Sequence, residues 1–306
     1  MKEKLWSMLG DLPPLFTPDV SIIRSIQRDG FTIEHFRFDN GAGATVFGYV
    51  LVPQNLNSPA PGVLYNHIHG GKYFIGKDDL FLDRVTEPAF GIQLVNLGYV
   101  VLCIDAYGFG ERQNQGPAGE RESGQQTEHS LFKKFLWESK TLWGMMLRDD
   151  LLALNVLLSR PDVNPTTIIT MGMSLGGSRS TWLAALDERI THSIPIAQMT
   201  RYQDFDEVGN YVLHGMYYYV PGMLAVDMGD IVASIAPRHQ LILIGDSDPS
   251  SPIAGVRKVI ETATQAYSDC PDHFQAIIYE GIAHFFTDEM RADIRSWLAS
   301  QVFAAG

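Results

Sequence analysis

The chain has 306 residues, of which 45% are hydrophobic and 19% are charged, as in a folded globular protein. Its 23 basic and 35 acidic residues give a formal net charge of −12, which repels polyphosphate backbones and anionic membranes. The composition therefore excludes a disordered or fibrous chain and argues against a nucleic-acid or membrane-surface partner. We expect a single domain over residues 1–306, because one large core can be built from a chain of this length.

The cysteines and the N-terminal segment bear on cellular location. Cys103 lies in a predicted strand and Cys270 precedes a proline, so we expect no disulfide framework and a reducing compartment. The first residues have no apolar run typical of a secretion signal, and no apolar stretch is long enough to span a bilayer. The sequence therefore predicts a cytoplasmic protein. It leaves open whether the chain forms a homo-oligomer.

Strands and helices alternate after an N-terminal hairpin. Residues 31–38 and 45–52 flank an Asn-Gly turn and predict two antiparallel strands. Short apolar, β-rich runs predict five further strands, at residues 62–67, 99–104, 167–171, 241–244 and 274–279. Helical spacing of apolar residues predicts four helices, at residues 143–158, 175–186, 256–267 and 286–303. The alternation predicts a three-layer α/β/α sandwich with a mostly parallel sheet.

Two segments fit neither the strands nor the helices of this pattern. Residues 108–139 are polar and rich in Gly and Gln, and residues 198–230 contain three consecutive tyrosines. We expect both to be insertions over the carboxyl ends of the strands, where open α/β sheets bind ligands. In the second segment Tyr217, Tyr218 and Met223 are candidate substrate-binding residues, with ordinary packing under a long loop as the alternative.

The sharpest motif is Gly-Met-Ser-Leu-Gly-Gly at residues 172–177, between a predicted strand and a predicted helix. A nucleophile on such a turn needs small neighbours two residues away on either side, because the strained backbone crowds them. Ser174 is therefore the candidate nucleophile, and the backbone amide of Leu175 is a candidate donor to an oxyanion. The alternative is a tight turn that contains an incidental serine. Whether Ser174 is catalytic therefore depends on whether the chain also supplies a base and an acid.

A serine nucleophile needs a base, and in this arrangement the acid and the base follow the serine in the chain. Asp246 and Asp248 both follow the strand predicted at residues 241–244, and we prefer Asp248 as the acid because of its place in the turn. His284 follows the last predicted strand and is the candidate base. The order Ser174, Asp248, His284, each just beyond a strand, predicts a catalytic triad.

The second oxyanion donor should follow an early strand. His69, Gly70 and Gly71 follow the strand predicted at residues 62–67, and we expect Gly71 to donate while His69 and Gly70 contact the substrate. His67 and His69 could instead be read as metal ligands, but no third ligand with suitable spacing follows them. The sequence therefore predicts neither a metal nor another cofactor.

The same stretch also has the spacing of a phosphate-binding loop. Residues 71–77 match G-x-x-x-x-G-K, which ends at Lys77. Asp78 occupies the position at which Ser or Thr would bind magnesium, and its charge would repel phosphate. We therefore regard the match as accidental.

With these motifs, the chain resembles the α/β-hydrolase superfamily from about Phe31 onward, and within it the dienelactone-hydrolase-like and acetyl-xylan-esterase-like proteins. Residues 104–112 and 182–187 add to the likeness. The resemblance implies a serine carboxylesterase that acts on a small ester. Dienelactone hydrolases proper carry a cysteine at the position of Ser174, so their specific activity is not implied. Amide, peptide or lactone hydrolysis by the same triad remains an alternative, and a non-catalytic binding protein on this fold is a remote one.

Overall fold

The computed structural model describes residues 1–82 and 88–302. Over these residues nine strands form one sheet, and in chain order they are β1 (Ser21–Gln27), β2 (Phe31–Asp39), β3 (Thr45–Pro53), β4 (Ala60–Asn66), β5 (Val100–Ile104), β6 (Val163–Met173), β7 (His192–Ile196), β8 (His239–Gly245) and β9 (Phe274–Tyr279). Their order across the sheet is β1-β2-β3-β5-β4-β6-β7-β8-β9. The first three strands are antiparallel and β3 joins β5 antiparallel, whereas β4 to β9 are mutually parallel.

The described residues also form nine α-helices: α1 (Lys2–Met8), α2 (Phe90–Asn96), α3 (Gln125–Trp137), α4 (Leu142–Leu158), α5 (Leu175–Leu186), α6 (Tyr202–Val208), α7 (Met228–Ala233), α8 (Ile253–Ala266) and α9 (Asp288–Val302). Two apolar clusters cover the sheet. One contains side chains of α4, α5, α7 and α8, and the other contains side chains of α2 and α9. Strands β5 and β7 are buried along their whole length because both sheet faces are covered. The predicted three-layer α/β/α sandwich is confirmed.

The predicted N-terminal hairpin is confirmed, with Phe38 opposite Val46 beside the turn. Two observed strands were not predicted. Strand β1 is an edge strand with mostly exposed side chains, so its sequence lacks the alternation that a half-buried strand requires. Strand β7 contains Pro195, a residue that argues against a central strand because it lacks an amide hydrogen. Phe303, at the end of the last predicted helix, lies outside the described residues.

Both predicted insertions contain helices of their own. Residues 108–139 contain α3 and two short 3₁₀ helices, and residues 198–230 contain α6, three short 3₁₀ helices and the start of α7. Within the described part of the chain, no helix combines the length and the hydropathy that are needed to cross a bilayer.

The parallel direction of β4 to β9 decides where the candidate site residues lie. The carboxyl ends of parallel strands meet at one edge of a sheet, so the segments that follow these strands become neighbours. His69 follows β4, Ser174 follows β6, Asp248 follows β8 and His284 follows β9. Residues far apart in the chain are thereby brought to one edge.

Candidate active site

Ser174 lies on a sharp turn between β6 and α5, with φ 59° and ψ −117°. A positive φ is uncommon for a residue with a side chain, and the surrounding packing holds it here. Gly172 and Gly176 allow this packing, since a Cβ atom on either would lie 2.2 or 2.0 Å from the carbonyl oxygen of Asn66. The backbone amide of Ser174 donates to the carbonyl of Ile196 over 2.9 Å. The turn therefore requires glycine at both flanking positions.

His284 and Asp248 form a direct contact. The Nδ1 atom of His284 lies 2.7 Å from Oδ2 of Asp248, whose side chain is fully buried. The second carboxylate oxygen of Asp248 accepts the backbone amide of Ser250 over 2.8 Å. Since an ionised carboxylate only accepts hydrogen bonds, His284 carries its hydrogen on Nδ1 when it is neutral. Its Nε2 is then free to accept a proton.

Asp246, the other candidate acid, lies in the turn that follows β8. Its Oδ1 accepts hydrogen bonds from the backbone amide of Gly281 over 2.8 Å and from the Ser247 hydroxyl over 3.0 Å. These are the contacts of a turn-capping aspartate. The structure therefore places Asp248 against His284, and Asp246 stabilises the neighbouring turn.

Ser174 and His284 line one cavity of about 320 Å³. Both predicted insertions contribute to its walls, through Gln125 and His129 of the first and residues 212–217 of the second. The remaining lining residues are His69, Gly70, Gly71, Tyr73 and Ser250. The imidazole, phenol, amide and hydroxyl groups among them can form hydrogen bonds with a bound molecule.

Of the predicted substrate-binding tyrosines, only Tyr217 reaches this cavity. Tyr218 and Met223 line a separate apolar cavity of about 280 Å³. Residues Met216–Tyr218 form a 3₁₀ helix, in which successive side chains point about 120° apart because a turn has three residues. Neighbouring tyrosines consequently face different cavities. The structure therefore separates Tyr218 and Met223 from the cavity that Ser174 lines, and their role in substrate binding stays a prediction.

The turn that follows β4 places two glycines at the cavity. Gly70 and Gly71 have φ values of +53° and +67°, a conformation that glycine adopts without steric cost. The Gly71 amide donates to Nδ1 of His69 over 3.1 Å. For the Gly70 amide, the described residues provide no acceptor within hydrogen-bonding distance. Leu175 begins α5, so its amide lacks an acceptor one helical turn earlier.

Sequence reasoning missed Glu128, a fully buried carboxylate of α3 beside this turn. Its Oε2 lies 3.0 Å from Nε2 of His69 and 2.6 Å from the hydroxyl of Tyr73. Burial raises the pKa of this carboxyl, but the hydrogen bonds from His69 and Tyr73 outweigh burial, so the pKa lies below the ordinary value for glutamate. Glu128 belongs to no motif, and a contact across 59 positions leaves no local pattern in the sequence.

His214 is a second residue that the sequence did not indicate. It lines the cavity, and its ring stacks on Tyr218 with centroids 3.9 Å apart. Burial lowers the pKa of His214 to about 4, so the imidazole is neutral at neutral pH.

His67 and His69 are both engaged in other contacts. In His67, Nδ1 lies 2.7 Å from the carbonyl of Ile68 and Nε2 accepts the amide of Ala106 over 3.0 Å. Over residues 1–82 and 88–302, no three His, Cys, Asp or Glu side chains are arranged to hold a metal ion. Lys77 is buried, and its Nζ lies 2.8 Å from Asp105 and 2.6 Å from Glu111. It forms ion pairs inside the protein.

Comparisons with known proteins agree with this architecture. A family model described as "Abhydrolase family" matches residues 13–296. A protein of Bacillus subtilis (strain 168), named "Putative hydrolase YtaP", is 33% identical over 309 residues, which cover 97% of this chain and 98% of that protein.

Solved structures share the fold. One is a "putative acetyl xylan esterase" from Bacteroides fragilis NCTC 9343, with a TM-score of 0.76, 18% identity, and coverage of 98% of this chain and 86% of that chain. Another is a glucuronoyl esterase from Solibacter usitatus, with a TM-score of 0.72, 13% identity, and coverage of 98% and 92%. At these identities the likeness concerns the fold alone.

Proposed function

This chain belongs to the Abhydrolase family, as its motifs predicted, and from that premise we propose that it is a serine hydrolase that cleaves carboxylic esters through an acyl-enzyme intermediate. One observation carries the proposal. His284, which contacts Asp248, lines one cavity together with Ser174, at one edge of the sheet. Ester hydrolysis needs a nucleophile, a base and an oriented acid in one place, and these residue types supply them.

The proposed reaction has two stages. His284 accepts the hydroxyl proton of Ser174 on Nε2 while the serine oxygen attacks the ester carbonyl, and the same proton then passes to the departing alcohol. Asp248 holds the imidazole in place and stabilises its charged form. His284 then takes a proton from water, which attacks the acyl-serine ester, and it passes this proton to Oγ of Ser174 as the bond between the acyl carbon and Oγ breaks and the carboxylic acid leaves. No cofactor takes part in these steps.

The amides of Leu175 and Gly71 are proposed to stabilise the negative charge that develops on the carbonyl oxygen. In the empty site the Gly71 amide donates to His69. A charged oxygen is a stronger acceptor than a neutral imidazole, so this hydrogen bond would pass to the oxyanion as the charge develops.

We propose an uncharged ester that carries hydrogen-bonding groups as the substrate. The cavity wall supports this class through Tyr73, Gln125 and His129, and the net charge of −12 disfavours a polyanion. The two solved structures described above are named as esterases of carbohydrates, so an acetylated sugar is a rational substrate to test. Amide or lactone cleavage by the same residues is the alternative, and matched ester and amide substrates distinguish the two.

We also propose that the chain acts in the cytoplasm. Cys103 is buried, Cys270 is partly buried, and both are free thiols, as a reducing compartment favours. Fractionation of cells that express the tagged chain tests this location.

The decisive test compares hydrolysis of p-nitrophenyl esters, from acetate to decanoate, by the wild type and the variants Ser174→Ala and His284→Ala near pH 8. We expect each variant to lose at least about 1,000-fold in kcat. Ser178→Ala is the matched control, since it removes a hydroxyl one turn later on the same helix. It should keep the wild-type rate.

A fluorophosphonate probe provides a readout that does not depend on the choice of ester. It should label the wild type and Ser178→Ala but not Ser174→Ala. Labelling of Ser174→Ala at the wild-type rate would show that Ser174 is not the nucleophile. A wild type that neither labels nor turns over any ester would favour the binding-protein alternative.

A further inference from the structure

Glu128 contacts parts of the cavity that come from separate segments of the chain. Its carboxylate accepts from Tyr73 over 2.6 Å and from His69 over 3.0 Å, and both of these residues belong to the segment that follows β4. Gly215, in the second insertion, also lies against the carboxylate. Gly215 allows that approach, because a Cβ atom there would lie 2.5 Å from Oε1 of Glu128.

These contacts determine which nitrogen of His69 carries the hydrogen. Nδ1 accepts the amide hydrogen of Gly71, so in the neutral ring the hydrogen is on Nε2, where it is donated to Glu128. The ring is also held by Phe109 and Tyr217, with centroid distances of 5.0 and 5.5 Å. A ring protonated on Nδ1 could not accept from Gly71. The carboxylate therefore selects the tautomer that holds the glycine turn.

We propose that Glu128 is a positioning residue: acting through His69, it holds the Gly70–Gly71 turn ready to receive the oxyanion. The inference rests on the proposed esterase function. With the turn held in place, the Gly71 N–H has only to change its acceptor, from Nδ1 of His69 to the oxyanion, and the backbone that carries it need not reorganise during the reaction. Glu128 lies behind His69 and needs no contact with the substrate. Its influence should fall on kcat more than on KM.

The variant that tests this is Glu128→Gln, which keeps the shape of the side chain and removes its charge. The protein offers a matched control in Glu122, a buried glutamate of the same insertion. Its oxygens accept from the Ala118 amide over 2.9 Å and from the Ser130 hydroxyl over 2.5 Å, and it has no contact with His69. Glu122→Gln therefore carries the same chemical change away from the glycine turn.

For Glu128→Gln we expect kcat on p-nitrophenyl acetate to fall about tenfold, with KM within about twofold of the wild type, because a misplaced donor loses part of the stabilisation that deleting it would remove. Affinity for a trifluoromethyl ketone, which forms an oxyanion on the nucleophile, should fall by the same factor. Glu122→Gln should change neither quantity. Equal kcat values for Glu128→Gln and the wild type would overturn the inference.

A second variant covers the case in which Glu128→Gln folds poorly. His69→Gln changes the other partner of the same hydrogen bond, so its kcat should also fall about tenfold on its own. Where both single variants fold, the double variant should be no slower than either of them. Losses that multiply in the double variant would mean that the two residues act separately, which contradicts the inference.

A spectroscopic readout separates this inference from the proposed function. In the ¹⁵N spectrum of histidine-labelled protein, His69 should be the Nε2–H tautomer in the wild type. In Glu128→Gln this form should be less populated, because a neutral amide oxygen is a weaker acceptor than a carboxylate. A wild-type His69 with its hydrogen on Nδ1 overturns the inference whatever the activity. Full activity of Ser174→Ala would instead overturn the proposed function. The spectrum would still report whether Glu128 sets the tautomer of His69.

Discussion

His284 and Asp248 are 36 positions apart in the chain, yet Nδ1 of the imidazole lies 2.7 Å from Oδ2 of the carboxylate. Asp246, two residues earlier, accepts hydrogen bonds from Ser247 and Gly281 instead. The two aspartates therefore provide a matched pair of substitutions. One changes the environment of the base, and the other changes a turn.

Asp248→Asn should lower kcat/KM for p-nitrophenyl acetate at least about 100-fold, because an amide can donate to Nδ1 and so favour the wrong tautomer of His284. Asp246→Asn keeps an acceptor for the Gly281 amide and should stay within about threefold of the wild type. Steady-state kinetics at pH 8 give both values. Equal losses in the two variants would remove Asp248 from its proposed role.

The adjacent tyrosines Tyr217 and Tyr218 make a second matched pair. Tyr217→Leu enlarges the cavity that Ser174 lines, so the ratio of kcat/KM for the octanoate ester to that for the acetate ester should rise about tenfold. Tyr218→Leu enlarges the separate apolar cavity and should leave the ratio within about threefold. A chain-length profile of p-nitrophenyl esters measures both. If this ratio rises in Tyr218→Leu and not in Tyr217→Leu, the acyl chain occupies the apolar cavity that Tyr218 lines.

The buried ion pair of Lys77 and Asp105 should matter for stability. Lys77→Met leaves the carboxylate of Asp105 buried without its cation and should lower the free energy of unfolding by about 3 to 5 kcal/mol. Lys134→Met removes an exposed ion pair with Glu138 and should cost less than about 1 kcal/mol. Urea titrations followed by circular dichroism report both. Similar midpoints for the two variants would contradict the prediction.

Stability at acidic pH should depend on a stack of histidines at the opposite end of the sheet. The rings of His192 and His239 stack with centroids 4.7 Å apart, and the ring of His273 lies 4.0 Å from that of His239, tilted by 33°. Burial, followed by the neighbouring His239, lowers the pKa of His192 to about 4. An unfolded chain would bind this proton near pH 6.5. The unfolded state therefore gains protons first, and stability is lost as the pH falls from about 6.5 towards 4.

His192→Asn should remove this part of the acid sensitivity. The difference in the free energy of unfolding between pH 7 and pH 4.5 should shrink by about 2 kcal/mol relative to the wild type. Urea titrations at the two pH values measure it. If His192→Asn loses as much unfolding free energy between pH 7 and pH 4.5 as the wild type does, other groups cause the acid sensitivity.

The sequence by itself determined the features that arise between near neighbours. Apolar periodicity located α5 at its observed bounds, Leu175–Leu186, and flanking glycines located the turn that carries Ser174. The position of His284 after the last strand followed from the same alternation of elements. Such patterns can be read because backbone geometry relates residues a few positions apart.

Tertiary structure alone decided the rest. The separation of Tyr217 from Tyr218 and the contact of Glu128 with His69 both depend on side-chain directions between distant segments. Strand β7 was hidden for a similar reason, since its pairing with β6 outweighs the local preference of Pro195. These contacts arise from packing between distant segments, so they cannot be predicted from the spacing of residues within the sequence.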